Sequence, residues 1–142
     1  MANQQLLVIA VVASVFLTAV DVSASTAYDV LVKNNLPRGL FPKGVQSYVL
    51  RLDGRIDVTL PSDCNVFVTV GGQQTKLQFP RKFGGVVRPG SISGVYGIIL
   101  NVESASLGIS QIQRAGDLIT ITAKNSRLSI PVSSFAQSPS CS

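Results

Sequence analysis

Residues 46–70 read QSYVLRLDGRIDVTLPSDCNVFVTV, and this stretch decides the fold. Asp53-Gly54 is the strongest short signal for a β-hairpin, because both residues tolerate the positive φ angles of a tight turn. Apolar and polar side chains alternate on either side of this turn and again after Pro61, as in strands with one buried face. The positions predicted to share buried faces are Tyr48, Leu50 and Leu52, then Ile56, Val58 and Leu60, then Cys64, Val66, Val68 and Val70. The stretch predicts a hairpin followed by another strand.

The rest of the chain also has the pattern of short strands. Leu77 and Phe79 share a face in the next run, and further strands are predicted at residues 98–102, 107–112, 118–123 and 128–132. Short strands separated by turn residues are typical of sandwiches and barrels, and the strand–helix alternation of a parallel sheet is absent. The predicted fold is all-β, a small antiparallel β-barrel or sandwich with a short N-terminal helix.

That helix is predicted to begin after Thr26, with Thr26 as the cap and Asp29 as the third helical residue, and to end near Asn34. Residues 36–45, LPRGLFPKGV, then repeat the pentad apolar-Pro-basic-Gly-apolar. Proline favours the second position of a turn and glycine the fourth, so two successive turns are expected.

The first 24 residues are predicted to form a cleavable signal peptide. Residues 6–20, LLVIAVVASVFLTAV, carry no charge, and a small-residue stretch suited to signal peptidase follows. Cleavage is expected after Ala24, with Ala27 as a second possibility, which leaves residues 25–142 as a single β-rich domain. The segment MANQQ lacks Lys and Arg, so the alternative is a membrane anchor formed by an uncleaved signal. Secretion to the cell exterior is the expected localisation.

Removal of residues 1–24 leaves 12 basic and 6 acidic residues, a net charge of +6. This charge favours anionic partners such as an acidic membrane or polysaccharide surface, although it can also serve solubility alone. Export argues against nucleic acid as the partner. In an oxidising compartment Cys64 and Cys141 are expected to form a disulfide, the alternative being a reactive or intermolecular thiol. Nothing in the sequence specifies an oligomeric state.

The chain contains no histidine, which removes Ser-His-Asp and Cys-His catalysis and the commonest metal ligand. Residues 90–94, GSISG, resemble a nucleophile elbow, but Ile92 occupies the central position. Asp53 and Asp57 are four residues apart, yet Asp53 belongs to the turn and Asp57 to a polar strand face. No catalytic residue, metal site or cofactor is assigned, and the balance favours a protein that is not an enzyme.

The surface candidate is the stretch 79–88, FPRKFGGVVR, predicted to be a turn-rich loop. Its aromatic and basic side chains could dock on an anionic membrane or close over a ligand. The alternative is a solvated loop whose phenylalanines pack inward. The side chains concerned are Phe79, Arg81, Lys82, Phe83 and Arg88.

The assembled segments resemble a plant family catalogued as domain of unknown function 538. The resemblance rests on the segments 28–31, 36–45, 60–64 and 130–141, together with Tyr48, Asp53-Gly54 and Gly94-Val95. It implies a small plant β-barrel with a secretion signal, of a kind compared with lipid-binding permeability proteins and proposed to act on chlorophyll. Many relatives carry a tryptophan near residues 100–102, where this chain has Asn101. The resemblance assigns no site residue.

The leading hypothesis is a secreted, non-enzymatic β-barrel that binds a lipophilic or amphipathic ligand, or an anionic surface. One alternative is a hydrolase of a lipophilic ester such as chlorophyll, and another is a structural protein of the cell wall. An interior cavity of several hundred Å³ lined by apolar side chains would favour ligand binding, whereas a filled core would exclude it.

Overall fold

The computed structural model describes residues 26–142 except residue 103. The predicted leader lies outside the described residues. One α-helix, α1, spans Ala27–Lys33, and 3₁₀ turns span Arg38–Leu40 and Val132–Phe135. The ten strands are β1 (Ser47–Leu50), β2 (Arg55–Thr59), β3 (Cys64–Val70), β4 (Gln73–Phe79), β5 (Lys82–Arg88), β6 (Ser91–Tyr96), β7 (Ile99–Val102), β8 (Ala105–Ala115), β9 (Leu118–Ala123) and β10 (Ser126–Pro131).

The strands form two antiparallel sheets that share β8. The large sheet has the order β1-β2-β5-β6-β8-β9-β10, and the small sheet has the order β3-β4-β7-β8. β7 pairs with residues 105–108 of β8, whereas β6 and β9 pair with its later residues. No pairing among the described strands joins β1 to β3, so the sheet stays open and is intermediate between a barrel and a sandwich. The predicted all-β antiparallel fold with a short N-terminal helix is confirmed.

Packed side chains occupy the space between the sheets. Phe83 contacts Phe41 and Phe79 edge to face, with ring centroids 5.5 and 5.1 Å apart. These rings belong to one continuous cluster that also takes in inward-facing residues of β2, β3, β8, β9 and β10. The alternation read from the sequence therefore builds the apolar core between the sheets.

Helix α1 closes one end of this core. Thr26 accepts a hydrogen bond from the Asp29 amide at 3.1 Å, and the Asp29 carboxylate accepts one from the Thr26 amide at 2.9 Å. This reciprocal capping box is the one predicted from the sequence. Ala27, Val30 and Leu31 are buried, and Tyr28 donates a hydrogen bond to the Pro42 carbonyl at 2.7 Å. No helix in the described part of the chain is long and apolar enough to cross a membrane.

The expectation of a turn-rich loop is wrong for residues 82–88, which form β5 between β2 and β6. The reason is the pair Gly84-Gly85, which interrupts the apolar alternation. A Cβ at Gly84 would collide with the Ile56 carbonyl oxygen, and one at Gly85 would lie 2.8 Å from the Ile92 side chain. Glycine is needed here because the neighbouring strands approach closely. In the sequence, a glycine pair with this role looks the same as one that forms a turn.

The C-terminal segment returns across the fold and is fixed to the small sheet. Cys64 on β3 and Cys141 form a disulfide. The Lys43 amide donates to the Pro139 carbonyl at 2.8 Å, and the Ser142 amide donates to the Asn65 carbonyl at 2.9 Å. The tail thus lies beside the outer edge of β3.

Candidate ligand-binding groove

An apolar groove of about 410 Å³ opens between α1, the β1–β2 hairpin and the end of β5. Val30 on α1 and Asn34, the residue that caps its C-terminal end, lie one helical turn apart, so both face this groove. Its lining is Val30, Asn34, Leu50, Arg51, Leu52, Gly54 and Val87. Ligand sites in proteins are mostly apolar with a few polar groups, and this lining has that character.

The hairpin wall of the groove is fixed to β5. The Asp53 carboxylate accepts a hydrogen bond from the Arg55 amide at 3.0 Å and thereby stabilises the turn. Gly54 has a φ of +93°, and its carbonyl accepts from the Val87 amide at 2.8 Å. Arg88 donates from its guanidinium to the Asp53 carbonyl at 2.6 Å. These contacts hold the turn against the neighbouring strand.

Hydrogen bonds also hold the helical wall of the groove in place. The Asn34 side chain donates to the Val30 carbonyl at 2.8 Å, and the Asn34 carbonyl accepts from the Gly90 amide at 2.7 Å. Arg114 on β8 donates to the Asn35 carbonyl at 3.4 Å. The end of α1 is therefore held by the turn between β5 and β6 and by a side chain of β8, and the groove keeps its two walls without a ligand.

Leu52 lies at the mouth of the groove and is 92% exposed. The sequence placed it on a buried face with Tyr48 and Leu50, but β1 ends at Leu50 and Leu52 lies in the turn. The alternation continues for two residues beyond the strand, and the pattern alone gives no sign of that end. An apolar side chain this exposed is an available contact for an apolar ligand.

Arg51 and Arg88 lie at the mouth of the groove. Arg51 lines the groove and lies 3.4 Å from Asp57 in an exposed ion pair, the only one among the described residues. Arg88 binds the backbone carbonyl of Asp53 rather than a carboxylate, and Arg55 begins the strand after the turn. Three cations therefore stand within one hairpin and its neighbour, against the two carboxylates of Asp53 and Asp57.

Asp57 is further constrained by Tyr96, a residue to which sequence reasoning gave no role. The Tyr96 hydroxyl donates to the Asp57 carboxylate at 2.5 Å across Gly84. This hydrogen bond is the main cause that lowers the pKa of Asp57, and Arg51 lowers it further. Burial and the same carboxylate raise the pKa of Tyr96 to about 12. Asp57 thus remains ionised and is shared between the Tyr96 hydroxyl and the Arg51 guanidinium.

The structure separates the five residues of the predicted surface loop. Phe79 and Phe83 are buried in the core, while Arg81 and Lys82 are exposed at the start of β5 and Arg88 at its end. Six residues of extended strand span about 20 Å, so Arg88 alone of these cations lies beside the groove. The groove itself was missed because its walls come from distant parts of the sequence.

No catalytic constellation is evident in the described residues. They contain no group of three or more His, Cys, Asp or Glu side chains placed to hold a metal ion. The serine hydroxyls that make hydrogen bonds there have carbonyl, amide or hydroxyl partners, and none of these is a lysine or a carboxylate. The groove offers apolar contacts and arginine side chains.

Comparison with known proteins identifies a family that the chain matches. The family model described as "Protein of unknown function, DUF538" matches residues 27–136, nearly all of the described structure. No curated protein and no solved structure matches the chain.

Proposed function

The chain belongs to the DUF538 family, and we propose that it binds an anionic amphiphile, a molecule with one apolar chain and an acidic head group. The observation that carries the proposal is the apolar groove of about 410 Å³ with Arg51 in its lining. The apolar chain lies along Val30, Leu50 and Val87, and the head group lies against Arg51 and Arg88. The ligand is held at the surface, where this groove opens.

The energetics favour such a ligand. Covering the Leu52 side chain with an apolar chain contributes roughly 1.5–3 kcal/mol, because that side chain is almost fully hydrated without a ligand. Arginine binds carboxylate or phosphate through two parallel hydrogen bonds, a geometry that a surface lysine does not provide. Apolar burial thus supplies affinity, and arginine selects an acidic head group over a neutral one.

The proposed setting is outside the cell, with the leader removed after Ala24 and no reaction carried out on the ligand. A basic protein in that setting is attracted to acidic surfaces, where anionic amphiphiles concentrate. The groove then serves to take up or carry a lipid.

Oleate and oleyl alcohol test the proposal, since they share an apolar chain and differ in charge. The full chain is expressed through the secretory pathway of a host cell, freed of lipid, and titrated with each compound by native mass spectrometry and calorimetry. We expect one saturable oleate per protein, with oleyl alcohol about tenfold weaker, a difference of about 1.4 kcal/mol. Arg51→Gln should reduce oleate affinity to the level of the alcohol, and Leu52→Ser should weaken both compounds.

Matched controls lie on the far strands of the large sheet. Leu118→Ser on β9 removes a leucine that is 45% exposed, and Arg127→Gln on β10 removes an exposed arginine. Neither should change the affinity for oleate. Equal loss in the control variants, or unchanged binding in Leu52→Ser, would show that the groove is not the site.

A further inference from the structure

The outer face of the small sheet carries one continuous row of side chains across all four of its strands. Phe67 on β3 pairs in register with Lys76 on β4, Lys76 with Asn101 on β7, and Asn101 with Ser106 on β8. Neighbouring strands are about 4.8 Å apart, so the row is about 14 Å long. It lies on a different sheet from the groove proposed to bind amphiphiles.

The polar part of this face is organised by hydrogen bonds. The Asn101 amide donates to the Gln78 side-chain oxygen at 2.8 Å, and its own side-chain oxygen accepts from the Ser106 hydroxyl at 2.7 Å. These contacts fix the rotamers of three side chains before any ligand arrives. Gln78 still has an NH₂ group for which no protein acceptor is found among the described residues, so donors remain for a partner.

Phe67 supplies a flat apolar surface at one end of the row. Its ring is 47% exposed on the outer face, although phenylalanine is usually buried. An exposed ring beside fixed amides is suited to a partner with an apolar face and polar edges. A sugar ring has this character, because its C–H groups form faces and its hydroxyls form the rim.

A groove of about 290 Å³ continues the face beyond the row. Asn65, Gln78 and Ile99 contribute outward side chains to it, and Asp63 stands at its end. The Asp63 carboxylate already accepts a hydrogen bond from the Arg81 amide at 3.0 Å. Lys76 and Asp63 balance in charge, so the face selects hydrogen-bonding groups and gives no preference to an anion.

We propose that the outer face of the small sheet binds a neutral polysaccharide, with one sugar ring stacked on Phe67 and the hydroxyls of its neighbours on Gln78, Asn101 and Asn65. Hydroxyls both donate and accept hydrogen bonds, as side-chain amides do, and this match accounts for the amide-rich composition. The protein thus has a carbohydrate contact on one sheet and a groove for amphiphiles on the other.

Cellohexaose is the probe, titrated into the secreted full chain by calorimetry at low salt and in about 1 M NaCl, where charges are screened beyond about 3 Å. Binding is expected to be saturable and nearly insensitive to salt. Phe67→Leu keeps an apolar side chain but loses the flat ring and should weaken binding about tenfold, whereas Phe67→Tyr should retain it. Asn101→Ala should weaken binding several-fold, because it disconnects Gln78 from Ser106.

Gln113→Ala is the matched amide control, since Gln113 is exposed on the part of β8 that belongs to the large sheet. It should leave the affinity for cellohexaose unchanged. Equal binding by Phe67→Leu and the native chain would overturn the proposal, as would binding that disappears in about 1 M NaCl. The second result would mean that salt-sensitive contacts carry the binding, rather than ring stacking and amide hydrogen bonds.

Discussion

Gly84 lies on β5 directly between Asp57 on β2 and Tyr96 on β6. A Cβ at this position would collide with the Ile56 carbonyl and lie 3.0 Å from the ring and hydroxyl of Tyr96. Gly84→Ala is therefore expected to lower the free energy of unfolding by roughly 1–3 kcal/mol, because backbone has to move. Urea denaturation measures the difference.

Gly108 on β8 is the control, since a Cβ there meets no atom within 4 Å and its backbone lies outside the left-handed region. Gly108→Ala should be neutral or stabilise the fold by up to about 1 kcal/mol, because alanine restricts the unfolded chain. Equal destabilisation by the two substitutions would contradict the steric argument at Gly84.

The Tyr96–Asp57 hydrogen bond predicts a pH effect. The pKa of Asp57 is held below its ordinary 3.8, so its contribution to stability is complete above that value and is lost as the pH falls further. Tyr96→Phe removes the largest cause of this shift and should raise the pKa of Asp57, moving acid unfolding to higher pH. Carboxyl NMR titration follows Asp57 directly, and Tyr48→Phe, which replaces a tyrosine outside this contact, should leave it unchanged.

At alkaline pH, Tyr96 makes the stability of the fold change with pH in the opposite direction. The pKa of Tyr96 is raised to about 12, so the folded state keeps its proton where the unfolded state loses it. Stability should therefore fall between about pH 10 and 12, and Tyr96→Phe should remove this part of the decrease. A decrease of the same size in the variant would assign the effect to other groups.

Sequence reasoning placed Asp57 on an exposed strand face but did not find its partner. Alternation along β2 reports which side each residue faces, whereas the contact with Tyr96 depends on the register between β5 and β6. That register shifts between Gly84 and Val86. When glycine is present, the sequence at such a shift in strand register looks the same as the sequence of a turn.

At the scale of elements, α1 depends on its cap, because seven residues form too short a helix to be stable alone. Thr26→Ala removes the acceptor for the Asp29 amide and should lower the free energy of unfolding by about 1 kcal/mol. Thermal unfolding followed by circular dichroism measures this loss. Thr69→Ala, on the exposed outer face of β3, should lower the free energy of unfolding by less than half of that amount.

Because α1 forms one wall of the groove, Thr26→Ala should also weaken oleate binding, through a looser wall rather than a lost contact. A weaker affinity at 25 °C that recovers on cooling would support this reason. An unchanged fold stability would show that packing of Ala27, Val30 and Leu31 alone positions the helix.

Elements with local signals were predictable, and those set by distant packing were not. Asp53-Gly54 and the Thr26–Asp29 pair indicated a turn and a helix start, and both are present. β5 was hidden by Gly84-Gly85, whose purpose is clear only when β2 and β6 lie on either side. The end of β1 was likewise set by the turn and not by hydrophobic pattern.

At the scale of the molecule, the two candidate sites arise from topology. The groove combines residues 30–34, 50–54 and 87, and the outer face of the small sheet combines strands from residues 64 to 108. Neither set is contiguous in the sequence. The order of the strands in the sheets determines which residues meet at each site. The alternation in the sequence locates the strands but does not give their order, because many different pairings bury the same faces.

The Cys64–Cys141 disulfide spans 77 residues and joins the tail to β3. In the chain-entropy model a loop of this length restricts the unfolded state by about 4 kcal/mol. Cys141 is exposed and Cys64 is buried, so Cys141→Ala opens the loop without disturbing the core. We expect this variant to lose about 3–4 kcal/mol of unfolding free energy in urea.

Reduction of the native chain should cause the same loss, and the exposed neighbour Ser140→Ala should cause almost none. A loss below about 1 kcal/mol would contradict the entropic account. It would mean that the tail is already held by its backbone hydrogen bonds, from Lys43 to Pro139 and from Ser142 to Asn65, or that the unfolded chain stays compact without the bond. Hydrogen exchange at Lys43 separates these cases, because it stays slow only if the tail remains in place.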